Sequence, residues 1–125
     1  MKISKAFFPP SLTLLPLESA AFVAEPMPPS ALPRGLNLYV VERNMPKVGR
    51  LNGHELRAAS IKTCGVLKAL GPGITWFHSY ITGDKMYCVY VAANERLVRE
   101  HAALGGLPVD AVNCVSTIIG PKTAA

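Results

Sequence analysis

Three histidines, three cysteines and one strand-borne carboxylate are the residues of this chain best suited to chemistry, and they stand in no standard ligand spacing. His101, within Arg99-Glu100-His101-Ala102, falls on the apolar side of an expected helix, which places an imidazole near a sheet rather than in bulk water. Such an imidazole suits nickel, zinc or copper when a second nitrogen, sulfur or carboxylate converges on it. The competing reading is a core histidine bonded to a carbonyl or hydroxyl. His78 lies between Trp76 and Tyr80 in a hairpin strand. It ligates a metal only with a partner on the same face, from its own subunit or a second copy, and is otherwise the polar tip of an aromatic cluster. Glu42, near Leu38 and Val40, is either a buried carboxylate seeking a partner or a surface acid paired with a base. Cys88 and Cys64 are soft donors if deprotonated and packing groups otherwise. The candidate metal ligands are therefore His101, His78, Glu42 and Cys88, in a site that only folding can assemble. His54, in a first helical turn, reads as solvated.

Catalytic signatures are missing: there is no G-x-S-x-G, P-loop, H-E-x-x-H or G-x-G-x-x-G. A Cys88–His101 nucleophile is conceivable, but apolar surroundings raise a thiol's pKa and leave it inert. The alternative to metal binding is a small-molecule enzyme of the dimeric α/β barrel type, with Trp76, Tyr80, Tyr90 and Cys64 lining a pocket between sheet and helices.

The elements that must position these groups follow from patterning. Leu36 to Arg43 is β-rich and stops before Pro46. Asn52 with Glu55 three residues on forms a capping box for a helix to about Leu70, with Leu56, Ser60, Thr63, Cys64 and Leu67 on one side, ended by Gly71-Pro72-Gly73. Two β-branched, aromatic runs around Gly83-Asp84 make a hairpin. A two-residue loop sets Tyr80 opposite Tyr87, His78 opposite Val89 and Trp76 opposite Val91, so that Trp76, His78 and Tyr80 share a face; a longer loop swaps this parity. Asn94 caps a second helix with Leu97, Val98, His101, Ala102 and Leu104 inward, and Gly105-Gly106 ends it. A last strand is expected from Val112 to Ile119. The order β-α-β-β-α-β is the ferredoxin-like α+β arrangement, a four-stranded antiparallel sheet with two helices on one face. Both faces of the hairpin carry large apolar side chains, so the uncovered face calls for a second copy packed sheet to sheet, a homodimer.

At 125 residues, 50% hydrophobic and 17% charged, the chain suits one domain. Seven of its eleven prolines lie between Pro9 and Pro33. Residues 1–35 therefore read as a proline-rich, weakly ordered extension and 36–125 as the ferredoxin-like domain. From Leu36 onward ten Lys/Arg face six Asp/Glu, scattered singly, which does not indicate nucleic-acid binding. The third strand also lacks the Gly and paired aromatics of RNA-recognition modules. There is no run of about eighteen apolar residues, so no membrane span is expected. Three cysteines without a C-x-x-C point to a reducing compartment, the cytoplasm; the alternative is export through a poor N-terminal signal interrupted by Pro9, Pro10 and Pro16.

The string from Cys64 to Tyr80 (CGVLKALGPGITWFHSY) and that from Asp84 to Tyr90 (DKMYCVY) resemble a small bacterial family catalogued as domain of unknown function 4242. So do Arg99-Glu100-His101-Ala102, Gly105-Gly106-Leu107-Pro108 and Ile119 to Ala124. Some members of that family are described as nickel-binding. The resemblance covers roughly residues 37–124 and implies a ferredoxin-like, usually dimeric subunit that binds a divalent transition metal, nickel before zinc, without an established reaction. Where relatives tend to carry an acidic pair before the hairpin lysine, this chain has Gly83-Asp84. Their terminal Ile-Asp-Pro-Thr-Thr becomes Ile119-Gly120-Pro121-Lys122-Thr123, with the loss of an acidic group at each place.

Overall fold

Alternation along the first strand divides the molecule into two sides. In β1 (Asn37–Asn44), Tyr39, Val41 and Arg43 point one way and Leu38, Val40 and Glu42 the other, as the two-residue side-chain period of a strand requires. The structure, a computed structural model, describes residues 29–125. β1 is followed by α1 (Gly53–Leu70), β2 (Ile74–Ile81), β3 (Lys85–Ala92), α2 (Glu95–Gly105) and β4 (Ala111–Cys114), with 3-10 turns at Pro29–Ala31, Val48–Arg50 and Pro121–Ala124. The sheet has the order β2-β3-β1-β4, every described pairing antiparallel. This is the ferredoxin-like α+β fold.

The helices begin where polar side chains satisfy their first amides. The Asn52 side chain accepts from Glu55 N at 2.8 Å while the Glu55 carboxylate accepts from Asn52 N at 3.0 Å. Asn94 accepts from Leu97 N at 2.9 Å. α2 ends at Gly106, whose φ of 68° frees its N–H to meet the carbonyls of Ala102 and Ala103. Gly49 is needed for a different reason: a Cβ there would stand 2.6 Å from the Thr82 carbonyl oxygen, where the 3-10 turn after β1 presses on the hairpin tip.

The helices lie differently on the sheet. α2 buries Val98, His101, Ala102 and Gly105 against it. The much longer α1 buries no residue fully; Leu56, Ser60, Thr63, Leu67 and Leu70 are only half-buried. The core on this side is Tyr39, Val41, Ile74, Cys88, Tyr90, Ala92 and Val98. On the outer side Leu38, Val89 and Val91 form a second cluster, against which Leu32, Leu36, Phe77 and Val115 pack. Residues 29–35 of the expected extension thus include a 3-10 turn and a side chain in contact with the sheet; the rest of that extension, 1–28, lies outside the described residues.

Several expectations need correction. Opposite Tyr90 and Val89 the pairing of β2 steps from Trp76 to His78, so Phe77 is an extra residue in a β-bulge. Tyr80–Tyr87 and His78–Val89 pair as expected, but Trp76 pairs with Tyr90 rather than Val91. The bulge flips the parity, sending Trp76 to the helix side and Phe77 to the outer cluster. Cys64 is exposed, because the inward row of α1 runs 56, 60, 63, 67, 70 and position 64 falls past its edge. Leu104 is 61% exposed, since the inward stripe of α2 is 98, 101, 102, 105. The last strand pairs only from Ala111 to Cys114, extended by one bond from Val115 N to Leu38 O at 2.8 Å.

Candidate functional site

Strand alternation decides which predicted ligands meet. His101, on α2, faces the helix side of the sheet. His78, paired with Val89 of the outer cluster, faces the other. The two histidines are separated by the sheet itself. Glu42 also lies on the outer side, but its carboxylate is held by Lys85 Nζ at 2.7 Å. Cys88 lies on the helix side with His101. The four candidates therefore do not converge within one chain, and among the described residues no group of three or more His, Cys, Asp or Glu is placed to hold a metal ion.

What does converge is a buried polar cluster centred on Tyr90. Arg43 is fully buried; its Nη2 donates to Tyr90 Oη at 3.0 Å, its Nη1 to the Pro108 carbonyl at 2.7 Å and its Nε to Cys88 Sγ at 3.4 Å. His101 Nε2 lies 3.0 Å from the same Tyr90 hydroxyl. Burial, with the neighbouring Arg43 charge, pulls the His101 pKa down to about 4. Burial pushes Tyr90 up to about 12, with the Cys88 side chain adding to it and Arg43 pulling against it. Both groups are neutral at pH 7. The phenol accepts from Arg43 and donates to His101 Nε2, which leaves the imidazole proton on Nδ1, a buried atom without a partner among the described residues.

Beside this cluster, in the gap under α1, lies a cavity of about 390 Å³. Cys88 and Tyr90 form part of its floor, together with Met86, Trp76 and Ser79, the last two joined by a bond from Trp76 Nε1 to Ser79 Oγ at 3.0 Å. Ser60 and Thr63 face it from α1. Of the residues expected to line such a pocket, Trp76 and Tyr90 do. Cys64 and Tyr80 do not: the former is exposed on its helix, the latter 58% exposed on the outer side, its ring 5.0 Å from that of His78.

Arg43 escapes a reading by residue type, because an isolated arginine at a strand end reads as a surface base. Its parity with Tyr39 and Val41 is the signal that identifies it: the third position of an apolar stripe must be either buried or the strand's exit.

Tested against these surroundings, His101 does not suit a metal ion: its Nε2 is engaged by Tyr90 and a guanidinium stands one residue away across the same hydroxyl. His78 does. Its Nε2 is buried and has no hydrogen-bond partner among the described residues.

The sequence profile of the family described as "Nickel responsive protein SCO4226-like" matches residues 39–115, more than half of the chain. None of the curated proteins matches. Among solved structures the chain is similar to that described as the crystal structure analysis of SCO4226 from Streptomyces coelicolor A3(2). The TM-score is 0.56 at 13% identity, over 66% of this chain and 99% of that one. At that identity the likeness speaks to the fold.

Proposed function

The chain belongs to the family of SCO4226-like nickel responsive proteins, and on that premise we propose that it is a small nickel-binding protein that sequesters or delivers the metal without turnover, acting as a homodimer. One observation carries this reading: the unpartnered, buried Nε2 of His78 on the outer face of the sheet. An imidazole nitrogen without a hydrogen bond in a buried position is costly unless something fills its lone pair. A borderline cation such as nickel is a natural occupant for an imidazole. A single nitrogen does not make a site, and the remaining donors come from a second copy packed across the same face. Tyr80, 58% exposed beside His78, provides apolar surface for that contact, and Ile118 and Ile119 are exposed in the segment after β4. Glu42 lies on the same side and is available once released from Lys85.

Calorimetric titration of nickel into the chelator-treated full chain, with sedimentation velocity on the same samples, tests the reading. Binding tighter than about 10 μM, roughly −7 kcal/mol, is expected. His78→Ala should abolish it, whereas His101→Gln should retain it. Loss of nickel in His101→Gln but not in His78→Ala would reverse the assignment, and a concentration-independent monomer that still binds nickel would remove the second copy from it.

A further inference from the structure

The helix side of the sheet holds a charge that its surroundings do not balance. Arg43 is fully buried, yet its three hydrogen-bond acceptors, the Pro108 carbonyl, the Tyr90 hydroxyl and the Cys88 sulfur, include no carboxylate. Among the described residues, the ion pairs are Lys85–Glu42, Arg96–Glu100 and Arg99–Glu95, and Arg43 is in none of them. Buried charges in proteins are paired almost without exception, because the loss of hydration is not repaid by neutral dipoles alone. Two of the three groups that hold Arg43, Tyr90 and Cys88, are also floor residues of the 390 Å³ cavity. The positive field of the guanidinium therefore reaches into that cavity through a low-dielectric wall, where it is screened far less than at a surface.

The rest of the lining agrees in sign. Among the described residues it is mostly aliphatic and aromatic, contains no acidic residue, and carries one charged side chain, Lys62. Its volume is in the range of small-molecule sites, and Ser60, Thr63 and Ser79 supply a few polar groups in an otherwise apolar enclosure.

We propose that the cavity under α1 binds a small organic anion with an apolar body, its negative end against the Tyr90–Cys88 floor in front of Arg43 and its apolar part between α1 and the sheet. This site is on the opposite side of the sheet from His78 and stands independently of nickel binding. The anion is the counter-charge that Arg43 lacks. The cavity lies against the face of α1, which has no fully buried residue, unlike α2.

A matched pair of fluorescent probes tests this on the full chain. 8-Anilinonaphthalene-1-sulfonate and N-phenyl-1-naphthylamine share an aromatic body and differ by one sulfonate. The wild-type protein should bind the sulfonate at least tenfold more tightly. Arg43→Met, which removes the charge and keeps the bulk, should bring the two affinities together. Ser60→Phe, which projects a ring into the cavity from half-buried α1, should lose both probes while circular dichroism shows an unchanged fold. Equal binding of the two probes to the wild type, no binding of either, or sulfonate binding that survives in Ser60→Phe would each overturn the proposal. Because the wild-type comparison needs no variant, it decides even if Arg43→Met fails to fold.

Discussion

On the helix side of the sheet, Arg43, Tyr90, His101 and Cys88 tie one another into a buried network, while on the outer side His78, Glu42 and Tyr80 stand among partners that are exposed or lacking. The same strands supply both sets, alternating residue by residue. The difference comes from what covers each face. α2 seals the helix side with Val98, His101 and Ala102, so polar groups there must satisfy each other. On the outer side the described cover is Leu32, Leu36 and Val115 over Leu38, Val89 and Val91, and Tyr80 remains open to solvent. A buried network is costly to disturb and suited to holding one shape. A half-covered face with an idle imidazole is suited to receiving something.

The comparison breaks most readily at the two tyrosines. Tyr90→Phe removes the oxygen that serves both Arg43 and His101 and leaves a buried cation with one acceptor fewer. A loss of about 3 kcal/mol is expected in urea unfolding. Tyr80→Phe, on the exposed outer side, should stay within ~0.5 kcal/mol. Similar losses in the two variants would mean that the faces do not differ as described.

Acid should act through His101 next. Its folded pKa of about 4 lies below the ordinary 6.5, so the unfolded chain binds the extra proton first. The contribution is complete above pH 6.5 and is lost as pH falls towards 4, by roughly 3 kcal/mol at most. Chemical denaturation at pH 7 and pH 4.5 should show the wild type losing more stability than His101→Gln. An equal loss in both would place the imidazole in contact with water.

Adjacent valines sharpen the contrast on a smaller scale. Val41, fully buried in the helix-side core, should cost about 2 kcal/mol as Val41→Ala, and half-buried Val40 about half of that as Val40→Ala. Smallest of all, Glu42→Gln removes an ion pair whose side chains are 30% and 41% exposed, and the thermal midpoint should not move measurably. A clear drop there would show that the outer face is more enclosed than its exposure indicates.

Much of the fold is legible in the sequence because its punctuation is local. Asn52 with Glu55, Asn94, Gly71-Pro72-Gly73 and Gly105-Gly106 bound both helices within a residue or two of where they lie. The site is less legible. Trp76 and Tyr90 line the cavity as expected, Trp76 only because the bulge turns it to the helix side, but Cys64 misses it by one helical step and Tyr80 by lying on the other face. Arg43, the residue with the largest electrostatic consequence, has nothing in its type to separate it from the surface bases.

The chain's own order of residues therefore determined the elements, their ends and the β-α-β-β-α-β succession, since caps, turns and strand alternation act over a few positions and need no distant partner. The tertiary structure alone decided which side of the sheet each functional group occupies. One extra residue at Phe77 reverses the parity of β2 ahead of it, and the packing of α1 across the sheet, without a fully buried residue, leaves the cavity between them. Both depend on long-range packing that a local pattern does not contain.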